Sequence, residues 1–164
     1  MKWLAKFFAL ICVAAIPVTA QSAGEGQGGE QETQIRGYWI DPSNGLMWAG
    51  KDNGKDVRWK GAVRYCRDLR LAGYSDWRLA TLAELGAIYD RNANAPGLSG
   101  SGKDNLFTYH VKGNLFLTGH QWEYNPSVGS WHEFLEFNDG RSNREWERGT
   151  SSFMRALCVR GPGK

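Results

Sequence analysis

The chain has 164 residues, 13% of them aromatic and 23% charged, with a formal net charge of +3 and a mean hydropathy of −0.50. That is the size of one domain, and no apolar stretch reaches the roughly 18 residues that a membrane-spanning helix needs. The charge falls to +1 without Lys2 and Lys6, far from the concentrated basic footprint that nucleic-acid binding requires.

The first twenty residues read as an export signal. Lys2 and Lys6 form a positive start, Phe7 to Val18 is an apolar run, and Val18-Thr19-Ala20 is a small-residue cleavage site before Gln21. The expectation is a secreted or periplasmic protein with no transmembrane anchor. Residues 21–35, beginning QSAGEGQGGEQETQ, hold almost nothing to bury and read as a flexible linker. Residues 36–164 are then the folded domain.

Tyr38-Trp39-Ile40 and Leu46-Met47-Trp48 flank Asp41-Pro42-Ser43-Asn44-Gly45, whose Pro and Asn-Gly chemistry predicts a hairpin. Trp59, Ala62, Val63, Cys66 and Leu69 recur at helical spacing, and Gly73 ends the run. Thr81 and Glu84 form a capping-box pattern before a second helix with Leu82, Leu85, Ile88 and Tyr89 on its apolar stripe. Asn92 to Asn105 is a polar loop. Strand candidates follow at Phe107 to Val111, Leu115 to Thr118, Gln121 to Tyr124, Trp131 to Phe137 and Phe153 to Arg160. Asn138-Asp139-Gly140 is a turn, and Arg141 to Ser152 reads as a polar, Arg-rich loop. Two helices early and strands late predict an α+β domain with an antiparallel sheet.

Three cysteines are present, and Cys12 lies in the removable signal. In an exported chain the remaining pair, Cys66 and Cys158, is expected to be a disulfide tying the last strand to the first helix. A bonded pair leaves no thiolate for catalysis or metal binding. Trp39, Trp48, Trp59 and Trp77 are expected in the core. Asp76-Trp77-Arg78-Leu79 reads as a packed corner, with the Arg paired to a carboxylate.

The string Asp41-x-x-x-Gly45-Leu46-Met47-Trp48, then Trp59 and Cys66, then Gly73-Tyr74-x-Asp76-Trp77-Arg78-Leu79-x-Thr81-x-x-Glu84-Leu85, and the ending Leu157-Cys158-Val159-Arg160 resemble the DUF1566 family. This is also called the Lcl C-terminal domain family, and the resemblance runs from about Tyr38 to Arg160. It implies a C-type lectin-like fold related to formylglycine-generating-enzyme domains, with a disulfide from first helix to last strand. Two departures stand out: Ala80 where the family usually has Pro, and Trp122-Glu123-Tyr124-Asn125 where a Trp-Ser-Ser run is frequent.

The chemistry of the remaining residues narrows the function. His110, His120 and His132 show no metal-ligand spacing, and the tripeptides with which many lectins hold calcium are absent. Neither a metal nor a cofactor is expected. No Gly-x-Ser-x-Gly nucleophile elbow occurs, and acid pairs such as Glu133 and Glu136 read as a solvated strand face, so a binding module is expected before an enzyme.

In such a fold the loops and nearby strands do the recognising. Here they hold Trp122, Tyr124, His132, Arg141, Asn143, Arg144, Trp146 and Arg148 as candidate contacts. Aromatic faces stack on sugar rings, Asn bonds hydroxyls, and Arg pairs with sulfate or carboxylate, although Glu145 and Glu147 offset the arginines. Trp131, Leu135 and Phe137 share one strand face and are assigned to the core. The expected ligand is a glycan or cell-surface polysaccharide, with an anionic glycan included. The alternatives are a protein ligand on the same loops, or a degenerate relative of the formylglycine-generating enzymes.

Overall fold

The computed structural model describes residues 32–94, 108–127, 129–149 and 151–161. The signal, most of the linker and most of the Asn92 to Asn105 loop lie outside them. Helix α1 occupies residues 32–36, so order begins earlier than the linker reading places it: Thr33 is buried and its Oγ1 donates to Gly113 O at 3.0 Å. No helix among the described residues is long and apolar enough to cross a membrane.

The chain is α+β, with two four-stranded sheets where the sequence predicts a single antiparallel one. The first has the order β1 (Tyr38–Ile40), β2 (Met47–Ala49), β8 (Cys158–Arg160), β3 (Arg78–Leu79), all antiparallel. Its β1–β2 pair is the predicted hairpin, with Trp39 opposite Trp48, and Asp41 closes the turn by accepting from Ser43 N and Asn44 Nδ2. The second sheet has the order β6 (Arg141–Trp146), β5 (Trp131–Glu136), β4 (His120–Trp122), β7 (Met154–Arg155). The β4–β7 pair is parallel, a relation that period-2 patterns cannot reveal.

Between β2 and β3 lies α2 (Trp59–Asp68), which buries Ala62 and Cys66 as the helical spacing predicts. It ends at Asp68, before Gly73, because Leu69 turns to an extended backbone. Cys66 is bonded to Cys158 (S–S 2.04 Å), so the helix is stapled to the central strand β8 of the first sheet. The second predicted helix is α3 (Leu82–Ile88), and its capping box is complete. Arg78 holds Glu84 with two bonds of 2.6 and 2.8 Å, which makes the Trp77-Arg78 corner a structural element, with Trp77 buried.

One core cluster joins Trp48, Leu85, Ile88, Leu115, Leu117 and Phe137, and the other joins Ala62, Cys66, Trp77, Leu79, Trp122 and Cys158. Trp48 and Trp77 are buried outright, whereas Trp39 and Trp59 are half-buried and pack against these clusters. Leu115 to Thr118 forms no strand; a single bridge from Phe116 to Lys51 ties it down. Beside it Asp52 is buried and accepts from Thr118 N, Thr118 Oγ1, Gln121 Nε2 and Gly54 N, at 2.6 to 3.0 Å. A carboxylate taken out of water needs that many donors. The result is a firm base for β4 and, through it, for β5 and β6.

Candidate functional site

The segment Arg141 to Trp146, read above as loop, is strand β6, paired residue for residue with β5 from Trp131↔Trp146 to Glu136↔Arg141. All but Glu145 are exposed, so the strand carries no apolar alternation to mark it. Its turn is the predicted Asn138-Asp139-Gly140. Gly140 has φ +79°, and a Cβ there would stand 2.7 Å from the Tyr89 ring, so both backbone and packing demand glycine.

Strand parity sorts the hairpin side chains into two faces. Trp131, Glu133 and Leu135 share one face with Trp146, Arg144 and Ser142. At the turn end Leu135 is buried in the core. Six residues of strand carry the other end past the core, and there Trp131 and Trp146 stand directly opposite each other, 56% and 46% exposed. Trp131 therefore shares its face with Leu135, as predicted, but is a surface residue, not a core one.

Between the tryptophans and the core, Arg144 Nε donates to Glu133 Oε1 at 3.0 Å. An exposed ion pair of this kind contributes about 0 to 1 kcal/mol, so it shapes the surface more than it holds the hairpin. Ser127, Trp131, Glu133 and Arg144 line a depression of about 570 Å³. On the inner side of Glu133, Glu123 N donates to Glu133 O at 3.0 Å, which places the Glu123 carboxyl beside that of Glu133. Glu123 is buried; burial first, and the Glu133 charge second, raise its pKa above the ordinary carboxylate value.

The opposite face is packed. His132 is 2% exposed and stacks on Trp59, with ring centroids 3.7 Å apart and planes within 2°. Tyr124 continues the stack on Trp59 at 6.4 Å, and Trp59 Nε1 donates to Glu123 O at 2.8 Å. Lys60 pairs with Glu147 at 2.5 Å, fastening α2 to the chain just beyond β6. Asn143 Nδ2 donates to Glu136 Oε1 at 2.6 Å.

The predicted contact residues therefore divide. Trp122 is a core side chain, 1% exposed, with Nε1 donating to Val57 O at 2.7 Å and its ring edge-on to Phe134. His132 is likewise buried, and neither presents a face to a ligand. Tyr124 is half-buried against Trp59. Arg141 and Asn143 are exposed but belong to the face opposite Trp146, and Arg148 is exposed beyond the strand end. Of the eight, Arg144 alone lines the depression, with Trp131, Glu133 and Ser127, which the sequence reading leaves out of the site; Trp146 stands on the same face, directly opposite Trp131.

A second depression, about 490 Å³, lies between α1 and α2, walled by Tyr65, Leu69, Leu71 and Phe116. Its walls are mainly apolar, without the paired charged groups of the first. Among the described residues no three of His, Cys, Asp and Glu converge as metal ligands.

A family model described as the Lcl C-terminal domain matches residues 37–160. No curated protein matches the chain.

Proposed function

Starting from a chain that belongs to the Lcl C-terminal domain family, we propose that it is an exported recognition module whose ligand is a glycan, bound on the Trp131–Trp146 face of the β5–β6 hairpin. The observation that carries this reading is the direct cross-strand pairing of two half-exposed tryptophans beside an Arg144–Glu133 pair. Indole faces cover the apolar faces of sugar rings, and a guanidinium next to a carboxylate donates to and accepts from neighbouring hydroxyls. A shallow, open depression suits an extended saccharide better than a small apolar ligand, which prefers a closed cavity.

The charge balance bears on which glycan. Glu133 offsets Arg144 within the depression, so selectivity for sulfate or carboxylate falls to Arg148, exposed just beyond the strand end. The C-type lectin-like fold that the family resemblance implies fits this role, with α2 and α3 as scaffold and the second sheet as the recognising layer.

An array of neutral and sulfated glycans, probed with the wild-type chain and with Trp146→Ala and Arg144→Ala, tests the reading. Trp146→Ala should lose binding to every glycan that the wild type holds, and Arg144→Ala should weaken it, both with unchanged melting curves. A chain that binds no glycan, or whose binding ignores both substitutions, would overturn it. A protein ligand would instead need a broad contact of more than about 1,000 Å² across this face.

A further inference from the structure

Strand β6 is the last strand of the second sheet, and among the described residues nothing pairs with its outer side. Its inner side is fixed by register. Glu147 N donates to Ser130 O, so residues 141, 143 and 145 point their backbone groups at β5, while Ser142, Arg144 and Trp146 point theirs away. The amide of Trp146, turned outward, is taken up by its neighbour's Glu145 Oε1 at 2.9 Å. Sheet edges are usually blunted by proline, a bulge or a covering segment. Here six consecutive residues pair without interruption and contain neither proline nor glycine.

We propose that this edge is a two-fold interface between copies of the chain. The sequence Arg141-Ser142-Asn143-Arg144-Glu145 is complementary to itself when run antiparallel about Asn143. In that register the outward backbone groups of Ser142 meet those of Arg144 in the second copy, and the reverse, giving four N–H···O=C bonds. On the packed face, Arg141 meets Glu145 of the second copy twice over, and Asn143 meets Asn143 across the axis. Arg141 is available for this, because its pairing with Asp139 is long (3.5 Å) and its side chain is 81% exposed.

Neighbouring registers lack this complementarity. Centring on Arg144 sets Arg144 against itself, and centring on Ser142 gives up both Arg141–Glu145 pairs. The chosen register also leaves both Trp131–Trp146 faces on the same side of one continuous eight-stranded sheet. Two sites held together on one side bind a repeating polymer with avidity that neither has alone.

Sedimentation velocity of the purified chain without ligand, from micromolar to millimolar concentration, tests the interface. A reversible monomer–dimer equilibrium is expected. Arg141→Glu and Glu145→Arg should each weaken association by about tenfold, and the double reversal should restore it. Ser142→Pro removes one outward donor from the edge while leaving the β5 ladder intact, and should abolish the dimer without lowering the melting temperature. A monomer at every concentration, or a dimer indifferent to the single reversals or unrestored by the double one, would overturn the proposal. Because no ligand is present, either result is independent of the glycan reading.

Discussion

Trp59 and His132 lie face to face, 3.7 Å apart and parallel to within 2°, and this contact fastens α2 to the underside of the hairpin that carries the site. The imidazole gives up water for that stack: His132 is 2% exposed, and neither ring nitrogen has a hydrogen-bond partner among the described residues.

Burial holds the His132 pKa below its ordinary 6.5, with Glu147 opposing the shift and Lys60 adding to it; burial lowers His120 in the same way. Folding therefore favours the neutral rings. Their contribution to stability is complete above pH 6.5 and is lost as the pH falls from there through the folded pKa. Melting temperatures measured from about pH 7.5 down to about pH 5 should fall, and His132→Phe, which keeps an aromatic ring on Trp59, should flatten part of the slope. An unchanged slope in that variant would remove His132 from the account.

Glu123 acts in the opposite sense. Its pKa is raised above the ordinary 4.5 by burial and by Glu133, so its protonated form is favoured by folding. That stability is complete below pH 4.5 and is lost as the pH rises through the folded pKa. Glu123→Gln should keep the hydrogen-bonding shape without the charge, and should be at least as stable as wild type at pH 7. A variant that melts well below wild type at pH 7 would show that the ionised carboxylate is needed.

The two kinds of tryptophan separate by stability. Trp48 is fully buried, and Trp48→Ala should cost about 3 to 5 kcal/mol in denaturant titrations. Trp131→Ala and Trp146→Ala, at exposed positions, should stay within about 0.5 kcal/mol. A large loss at Trp131 would mean that the site is scaffold.

The Cys66–Cys158 bond closes a sequence separation of 92 residues, for which the chain-entropy account gives about 4 to 5 kcal/mol. Cys66→Ala with Cys158→Ala should lower the melting temperature strongly, and thiol labelling of the unreduced protein should find both cysteines blocked. Labelling of both would contradict the staple.

Much of the scaffold is legible in the sequence because it obeys local rules. The Thr81/Glu84 capping box, the Asp41 to Gly45 turn and the Ala62/Cys66 helix face each depend on residues within a few positions of one another. The site is less legible. Strand β6 is exposed on both faces, so no hydrophobic period distinguishes it from a loop. Trp131 shares parity with Leu135, yet only the length of the strand relative to the core decides that it emerges into solvent. Trp122 is drawn inward by a partner, Val57 O, that is 65 residues away in sequence. The parallel β4–β7 pairing is likewise set by tertiary packing alone.

The indole N–H resonances in a two-dimensional NMR titration with a bound glycan test the central claim most directly. Trp131 and Trp146 should shift on saturation, while Trp48 and Trp122, buried at 0% and 1%, should not. Shifts confined to other tryptophans, with Trp131 and Trp146 unmoved by a glycan that demonstrably binds, would contradict it.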